Sequence, residues 1–243
     1  MTVAVEILNE THLDDASRLV VEGAARSGFA FIDAGLGDAV RYALSQMDSG
    51  AGLVALRKGR VAGFLAGFST TLFNGLPGVF VPDWGHATDG DAAVYGSLYR
   101  TASERWVAEG MLTHAISLFA GDRAGLEWWS GVGFGRHLVD GVSAVPTGAP
   151  ARLHEGMRRA DPADLEAALA MEEATASHLR AAPVFIAHRP AGPEALRARL
   201  GDPQRPVFLA ETAGRVVGWV TAKPSGETPL AIRRHAPVAI DGA

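Results

Sequence analysis

The chain of 243 residues contains no cysteine. Disulfide bonds, thiolate metal centres and a cysteine nucleophile are therefore excluded together. Acidic residues outnumber basic ones only slightly, 27 against 22, and the resulting formal net charge of −5 at pH 7 gives no electrostatic basis for binding nucleic acid or an anionic membrane. No apolar run approaches the length that spans a bilayer. The first residues lack the basic and apolar segments of a signal peptide, so we expect a cytoplasmic protein.

The composition is that of an ordinary globular protein. Hydrophobic residues make up 48% of the chain and charged residues 20%, so a proper core is expected. The length suits one large domain or two small ones. The sequence contains no Walker loop, no His-Glu-x-x-His motif and no Ser-His-Asp order, so hydrolase and nucleoside triphosphatase functions have no motif in their favour.

Apolar periodicity predicts a mixed α/β arrangement through residue 145. The segment 82–91, between a short apolar strand and a long helix, is polar and is predicted to be a loop. The first helix is predicted to begin at Thr11 as N-cap and to bury Leu13, Ala16, Leu19 and Val20. Strands are predicted over 3–8, 53–56, 60–67, 79–81, 113–119 and 137–145, and helices over 11–23, 38–47, 92–109 and 122–131.

After residue 145 a similar order of predicted strands and helices begins again. Residues 146–151, rich in proline and small residues, are predicted to be a linker between a domain at 1–145 and a second at 152–243. The motif Gly-Arg-Val-x-Gly-aromatic-aliphatic occurs over 59–65 and over 214–220. In the second copy, Asp161-Pro162 is predicted to start a helix over 162–179, followed by a helix over 193–200 and strands over 152–158, 207–211, 215–220 and 238–240. We interpret this as an internal duplication.

The hairpin, the following strand and a later helix ending in Gly133-Phe134 resemble the GNAT (Gcn5-related N-acetyltransferase) superfamily, in tandem. The resemblance implies a GNAT-like fold: one complete unit, then the N-terminal part of a second that ends within its fourth strand. In that family the fourth strand splays from the fifth to admit the pantetheine arm of acetyl-CoA. A loop of the form Gln/Arg-x-x-Gly-x-Gly/Ala then wraps the diphosphate at a helix N-terminus.

Carried over residue by residue, the family motif is degenerate in the first unit. The resemblance implies that Val79, Val81 and Gly90 contact the acetyl-CoA. However, Gly85 stands at the Gln/Arg position and Thr88 at the first glycine. The tyrosine that often protonates the departing thiolate is replaced by Trp129, and Asp89 and Asp91 bring negative charge to the diphosphate position.

The resemblance implies an acyl-CoA-dependent N-acyltransferase that moves an acetyl group from acetyl-CoA to an amine of a small molecule or peptide. Acetyl-CoA is the implied co-substrate, no metal is expected, and a homodimer is among the expected assemblies. The expected phosphate loop of the second, catalytic unit is missing, which we interpret as truncation after Ala243. The alternative hypothesis is a non-catalytic binding or scaffolding protein on the same fold.

Several residues have two interpretations. Asp83, His86, Asp89 and Asp91 have the chemistry of a hard-metal site, or else form an acidic loop in which Asp91 caps the following helix. His86 is a candidate general base, or else a surface or capping histidine. Glu211, at the end of a predicted strand, is a second weak catalytic candidate that could equally be an exposed carboxylate. The pair Trp128-Trp129 suits either an acceptor pocket or the core.

Overall fold

The computed structural model describes residues 3–29, 35–71, 75–139, 153–182, 188–224 and 238–242. Their contacts form two compact units: unit 1 comprises the described residues between 3 and 139, and unit 2 those between 153 and 242. Both units combine helices with β-sheet, so the expectation of a mixed α/β protein is confirmed. In the described residues, no helix has both the length and the apolar character needed to cross a membrane.

The first sheet of unit 1 is antiparallel. It contains β1 (Ala4–Ile7), β2 (Gly52–Arg57), β3 (Arg60–Ala66) and β6 (His86–Thr88), in the order β1-β2-β3-β6. Between β2 and β3 the chain turns at Lys58 and Gly59, whose φ angles are 54° and 75°. Two successive positive φ angles are the geometry of a type I′ turn, which matches the twist of the two strands. The predicted hairpin is confirmed.

The second sheet of unit 1 contains β4 (Phe68–Thr70), β5 (Gly78–Val81) and β7 (Thr113–Ile116). Strand β5 pairs antiparallel with β4 and parallel with β7. Gly67 separates β3 from β4, and a Cβ atom there would lie 2.6 Å from Cγ1 of Val79. A glycine is therefore required where the chain passes from one sheet to the other.

Helices cover both faces of unit 1. On one face, α1 (Leu13–Arg26) and α2 (Leu36–Ser45) pack against Val54 and Phe64; on the other, α3 (Val94–Ala108) and α4 (Arg123–Gly131) pack against Leu65 and Val79. The four residues predicted on the inner face of α1 are all buried. The start of α1 differs from the prediction, because Asn9 caps a short 3₁₀ turn (Glu10–His12) that leads into the helix.

Two other expectations are corrected. The prediction of a continuous loop over 82–91 is wrong, because residues 86–88 form β6 and pair with Gly63, Phe64 and Leu65 of β3. Three residues are too few to show strand periodicity, so only the partner strand reveals them. Residues 137–139 are not in a strand, and the rest of the strand predicted over 137–145 lies outside the described residues.

Unit 2 is a four-stranded antiparallel sheet with two helices. Its strands are β8 (Met157–Arg159), β9 (Val207–Thr212), β10 (Arg215–Pro224) and β11 (Val238–Gly242), in that spatial order. The helices are α5 (Leu165–Arg180) and α6 (Pro193–Gly201). As predicted, Asp161 caps a first turn (Pro162–Asp164) before α5, with its side chain accepting from the Ala163 N–H. The core contains Ala160, Ala168, Leu196, Leu200, Val207, Leu209 and Trp219.

The two hairpins share their irregularities. The turn of unit 2 has positive φ angles at Ala213 and Gly214, 50° and 71°. Strand β3 carries one unpaired extra residue, Ala62, and β10 carries one at Val217, each three residues after the glycine of its turn. A bulge kinks and twists the strand that contains it, so a shared bulge position gives both hairpins the same local shape.

The strands that follow the two hairpins, β5 and β11, also pair at equivalent positions. Ser69, ten residues after Gly59, pairs with Val79. Pro224, ten residues after Gly214, pairs with Val238. The segment 238–240 therefore occupies, beside its hairpin, the place that 79–81 occupies in unit 1.

Candidate functional site

The site of interest in unit 1 lies where its two sheets separate. The parallel pairing of β5 with β7 ends at Val81, whose carbonyl accepts from the Ser117 N–H at 2.9 Å. Beyond Val81 the chain leaves β7 and forms β6 beside β3. Within the described residues, β6 pairs as a strand with β3 alone, so a cleft opens between β6 and the segment that follows β7.

A cavity of about 240 Å³ occupies this cleft. Its walls come from the C-terminal half of α1, from β6, from the loop before α3 and from the start of α4. It is smaller than the range of about 300–1,000 Å³ typical of small-molecule pockets. The polar lining residues are Arg26, Ser27, His86, Thr88, Tyr95, Asp122 and Arg123.

The side chain of His86 spans the cleft. Its Nε2 lies 2.8 Å from the Ser117 carbonyl oxygen, and its Nδ1 lies 2.8 Å from the Tyr95 hydroxyl. A carbonyl oxygen can only accept, so Nε2 carries the hydrogen and donates it to Ser117. In the neutral ring Nδ1 then accepts from the Tyr95 O–H. We call this chain of contacts the His86 bridge.

Burial determines the protonation of the His86 bridge. The His86 side chain is 6% exposed, and this burial lowers its pKa because a buried imidazolium loses its hydration. Burial likewise raises the pKa of Tyr95. Both groups are therefore neutral at pH 7. The only lone pair of the neutral imidazole is engaged by Tyr95, so His86 in this geometry is poorly placed to act as a general base.

The loop between β6 and α3 supplies acceptors for its own N–H groups. Oγ1 of Thr88 accepts from the Gly90 N–H at 3.4 Å, and Oδ1 of Asp89 accepts from the Asp91 N–H at 3.3 Å. Oδ1 of Asp91 accepts from the Ala93 N–H at 3.1 Å, one residue before α3 begins. Asp91 thus forms a turn that leads into the helix.

Arg57 forms an ion pair with both carboxylates of this loop and offsets one of their two negative charges. Its Nη1 lies 2.9 Å from Asp89 and its Nη2 lies 2.6 Å from Asp91. A ligand diphosphate would need the same N–H groups, and it would have to displace two carboxylates that already have a cation. The residues of unit 1 therefore do not fit the diphosphate of acetyl-CoA.

The structure also shifts the motif positions taken from the resemblance. The strand that precedes α3 ends at Thr88, in β6, and not at Val81. Gly85 lies in the turn between β5 and β6, where a Cβ atom would come within 2.5 Å of the Ala66 carbonyl oxygen. No larger side chain can occupy that position, so Gly85 cannot be the counterpart of a phosphate-binding arginine or glutamine.

The predicted site residues fall into three places. His86 and Gly90 both line the cavity. Val79 and Val81 are buried in β5, with Val79 paired on both sides to β4 and β7. Glu211 lies in unit 2, where its Oε1 accepts from Nε of Arg158 at 2.8 Å. The roles assigned to these residues stay predictions.

The remaining candidates have structural partners. Asp89 and Asp91 bind Arg57, and both ring nitrogens of His86 are engaged, so the proposed metal ligands do not converge. Nowhere in the described ranges do three His, Asp or Glu side chains meet in a metal-binding arrangement. Trp129 is 2% exposed and packs against Tyr95, Tyr99 and Phe134 in the core.

Sequence reasoning missed several residues at the cleft. Tyr95 is on the inner face of α3, and its partner His86 belongs to a strand that the sequence did not reveal. Nη2 of Arg26 donates to the Thr88 carbonyl at 2.8 Å, a contact between α1 and β6. Asp122 caps α4 by accepting from the Gly125 N–H at 2.9 Å. An aspartate at the first position of the helix predicted over 122–131 was an available signal for this cap.

No family model matches the sequence, and no curated protein matches it. Similar solved structures do exist. One is an aminoglycoside acetyltransferase from an uncultured soil metagenomic sample in complex with sisomicin: 14% identity, TM-score 0.43, covering 59% of this chain and 97% of that one. The chain resembles solved N-acetyltransferases. Another is a ribosomal-protein-alanine N-acetyltransferase from Brucella melitensis biovar Abortus 2308, with 12% identity and TM-score 0.43, covering 59% of this chain and 100% of that one.

A third is an aminoglycoside N-acetyltransferase in complex with CoA, with 19% identity and TM-score 0.42, covering 61% of this chain and 98% of that one. At these identities and TM-scores, the similarity gives this chain neither a residue role nor a substrate.

Proposed function

We propose that the chain is an acyl-CoA-dependent N-acyltransferase that transfers an acetyl group from acetyl-CoA to an amine of a small molecule or peptide. The observation that carries this proposal is the split sheet of unit 1: β5 and β7 run parallel, and the segments that follow them separate at a cavity. It supports the type of fold and does not place the donor in unit 1. In the superfamily that the sequence resembles, such a split admits the pantetheine arm.

Unit 1 is then the degenerate partner rather than the donor-binding unit. In the loop before α3, aspartate side chains already accept from the N–H groups of Asp91 and Ala93, and Trp129 provides no ionisable proton at the position of the usual tyrosine. We therefore assign no catalytic step to the described residues of unit 1.

We further propose that the two units are copies of one fold, at 1–145 and 152–243 with a linker at 146–151. The support is the common order of strand, 3₁₀ turn, two helices and hairpin. The matching bulges at Ala62 and Val217 and the matching registers of β5 and β11 add to it. A bulge at the same offset in two unrelated hairpins would be a coincidence, since bulge positions are conserved within families.

Release of CoA thiol from acetyl-CoA tests the activity directly. The full chain is incubated with acetyl-CoA and, in separate reactions, an aminoglycoside, a polyamine or a peptide with an N-terminal alanine. The chain has no cysteine, so a thiol reagent detects released CoA without background from the protein. We expect thiol release that depends on one of the amines. The proposal would be contradicted if CoA were released at the same rate without an amine, or if no CoA were released with any of them.

A second candidate is a non-catalytic binding protein on the same fold. The specific observation in its favour is that side chains already accept from the N–H groups of Gly90, Asp91 and Ala93 before α3, while Arg57 pairs with the two carboxylates there. Thermal melting separates the two functions, because a bound ligand raises the melting temperature even when no reaction occurs. Stabilisation by an amine without any CoA release would favour this candidate.

A further inference from the structure

The cleft of unit 1 is spanned by one side chain. His86 is anchored on β6, and its ring reaches the Ser117 carbonyl on the segment that follows β7. The other ring nitrogen is held by Tyr95 of α3. The His86 bridge thus joins three elements around the cavity: β6, α3 and the segment after β7.

A second set of contacts provides an internal comparison. The Tyr99 hydroxyl lies 2.9 Å from Nδ1 of His114, and Nε2 of His114 lies 2.9 Å from the Met111 carbonyl oxygen. The bonding is the same as in the His86 bridge. However, Tyr99, His114 and Met111 do not line the cavity, and Met111 is only three residues from His114.

We propose that the His86 bridge keeps the cleft of unit 1 narrow, and that releasing its two hydrogen bonds widens the cavity at its buried end, beside His86 and Ala87. The proposal rests on contacts across the cleft and does not depend on acyl transfer. It makes His86 a bridging residue, which differs from the general-base role considered from the sequence.

The surroundings of the bridge favour widening in acid. The charged groups that line the cavity with it are Arg26 of α1 and, at the start of α4, Asp122 and Arg123, while β3 faces β6 with Gly63, Phe64 and Leu65. Desolvation is the largest effect on the pKa of His86 and lowers it, while the hydrogen bond to the Ser117 carbonyl and the charge of Asp122 raise it by less. An imidazolium is therefore better accommodated when the ring is hydrated, so protonation shifts the equilibrium towards the wider cleft.

The absence of cysteine allows the widening to be measured. Ala87 is buried, lines the cavity and lies next to His86 in β6. In an Ala87→Cys chain, the rate of reaction with a thiol reagent reports exposure of the cavity. Adding His86→Ala should raise this rate by roughly ten-fold or more, as expected for the loss of two buried hydrogen bonds. Imidazole added to the double variant should slow the reaction again by refilling the space.

An Ala102→Cys chain is the matched control. Ala102 is equally buried, on α3, and does not line the cavity, so its labelling reports general loosening of unit 1. The ratio of the two labelling rates also cancels the ionisation of the thiol. On acidification from pH 8 to pH 6 this ratio should rise. It should stay constant with His86→Gln, because glutamine keeps a donor and an acceptor but does not titrate.

Two results would overturn the proposal. One is an unchanged Ala87→Cys rate after His86→Ala. The other is an equal rise at Ala87→Cys and Ala102→Cys, which would mean that His86 only stabilises the fold. Replacing His114 by Ala should leave the ratio unchanged. None of these readouts uses acetyl-CoA, so they stand whether or not acyl transfer is detected.

Discussion

Unit 1 contains two tyrosine–histidine pairs whose tyrosines lie about one helical turn apart on α3, and the bonding of the two pairs is the same. In each, a tyrosine hydroxyl contacts Nδ1 of a histidine whose Nε2 contacts a backbone carbonyl. The pair of Tyr95 and His86 is buried and lies at the cavity, whereas Tyr99 and His114 are only partly buried. The comparison shows that the surroundings of a hydrogen-bonded pair, rather than its bonding, decide what it can do.

The difference is visible in the ionisation of the tyrosines. Burial raises the pKa of both, but Tyr95 loses nearly all of its solvent contact and Tyr99 only part of it. The same desolvation lowers the pKa of His86. A buried pair without water depends on each of its hydrogen bonds, while a partly exposed pair can replace a lost bond with solvent. Four predictions follow this contrast, in order of decreasing effect.

Replacing Trp129 by alanine should disturb both pairs at once. The Trp129 ring lies 5.2 Å from the Tyr95 ring and 5.2 Å from the Tyr99 ring, measured between centroids. We expect the free energy of unfolding to fall by about 3–5 kcal/mol, the usual cost of removing a large buried aromatic. Urea denaturation measures this change. Trp128→Ala, at a half-buried neighbour, is the control and should cost clearly less; equal losses would show that the position is not the centre of the core.

Replacing each histidine by alanine separates the pairs. His86→Ala leaves the Tyr95 hydroxyl and the Ser117 carbonyl without their partner in a buried site, and should cost about 2–3 kcal/mol. His114→Ala should cost about 1 kcal/mol, because water can reach the groups it leaves. Urea midpoints compared at constant m-value test the difference. Equal costs would mean that burial does not distinguish the two sites.

Removing each tyrosine hydroxyl is a milder form of the same comparison. Tyr95→Phe takes the donor from Nδ1 of His86 and leaves a buried acceptor unsatisfied, at a cost of about 1–2 kcal/mol. Tyr99→Phe should cost about 0.5 kcal/mol, since His114 has access to solvent. Thermal melting of the two variants in one buffer would show the contrast; a larger loss in Tyr99→Phe would reverse it.

The smallest of these effects should be the contribution of His86 to the pH dependence of stability. The pKa of His86 is lowered in the folded state, so on acidification the unfolded chain takes up this proton first. The His86 contribution to stability is therefore present above an unfolded pKa of about 6.5 and is lost as the pH falls below it. Between pH 8 and pH 6 this loss is about 0.8 kcal/mol at most. Subtracting the pH profile of His86→Gln from that of the original chain isolates it, and parallel profiles would contradict the assignment.

Much of the fold was predictable from local patterns. The buried face of α1, the two hairpins with their glycine turns and the Asp161 cap all depend on residues close together in sequence. Strand β6 was not predictable, because His86, Ala87 and Thr88 become a strand only by pairing with β3. The position of Gly85 was misassigned for the same reason, since the strand before α3 ends at Thr88.

The candidate site was only partly predictable. The sequence pointed to His86 and Gly90, which both line the cavity, and to the conflict between Asp89, Asp91 and a ligand diphosphate. It did not indicate that Arg57, 32 residues before Asp89, forms an ion pair with these carboxylates and offsets part of their charge. Nor did it pair His86 with Tyr95, because the contact requires β6 and α3 to be placed next to each other.

By itself, the sequence determined the alternation of elements, the repeated hairpin and the residue types that make a phosphate loop implausible before α3. These are local properties, set by apolar periodicity, turn geometry and charge. Only the tertiary structure decided that the two sheets separate beside Ser117, that His86 crosses the gap and that burial keeps its ring neutral. Such properties depend on which distant segments meet and how much water they exclude, and neither is encoded in the spacing of neighbouring residues.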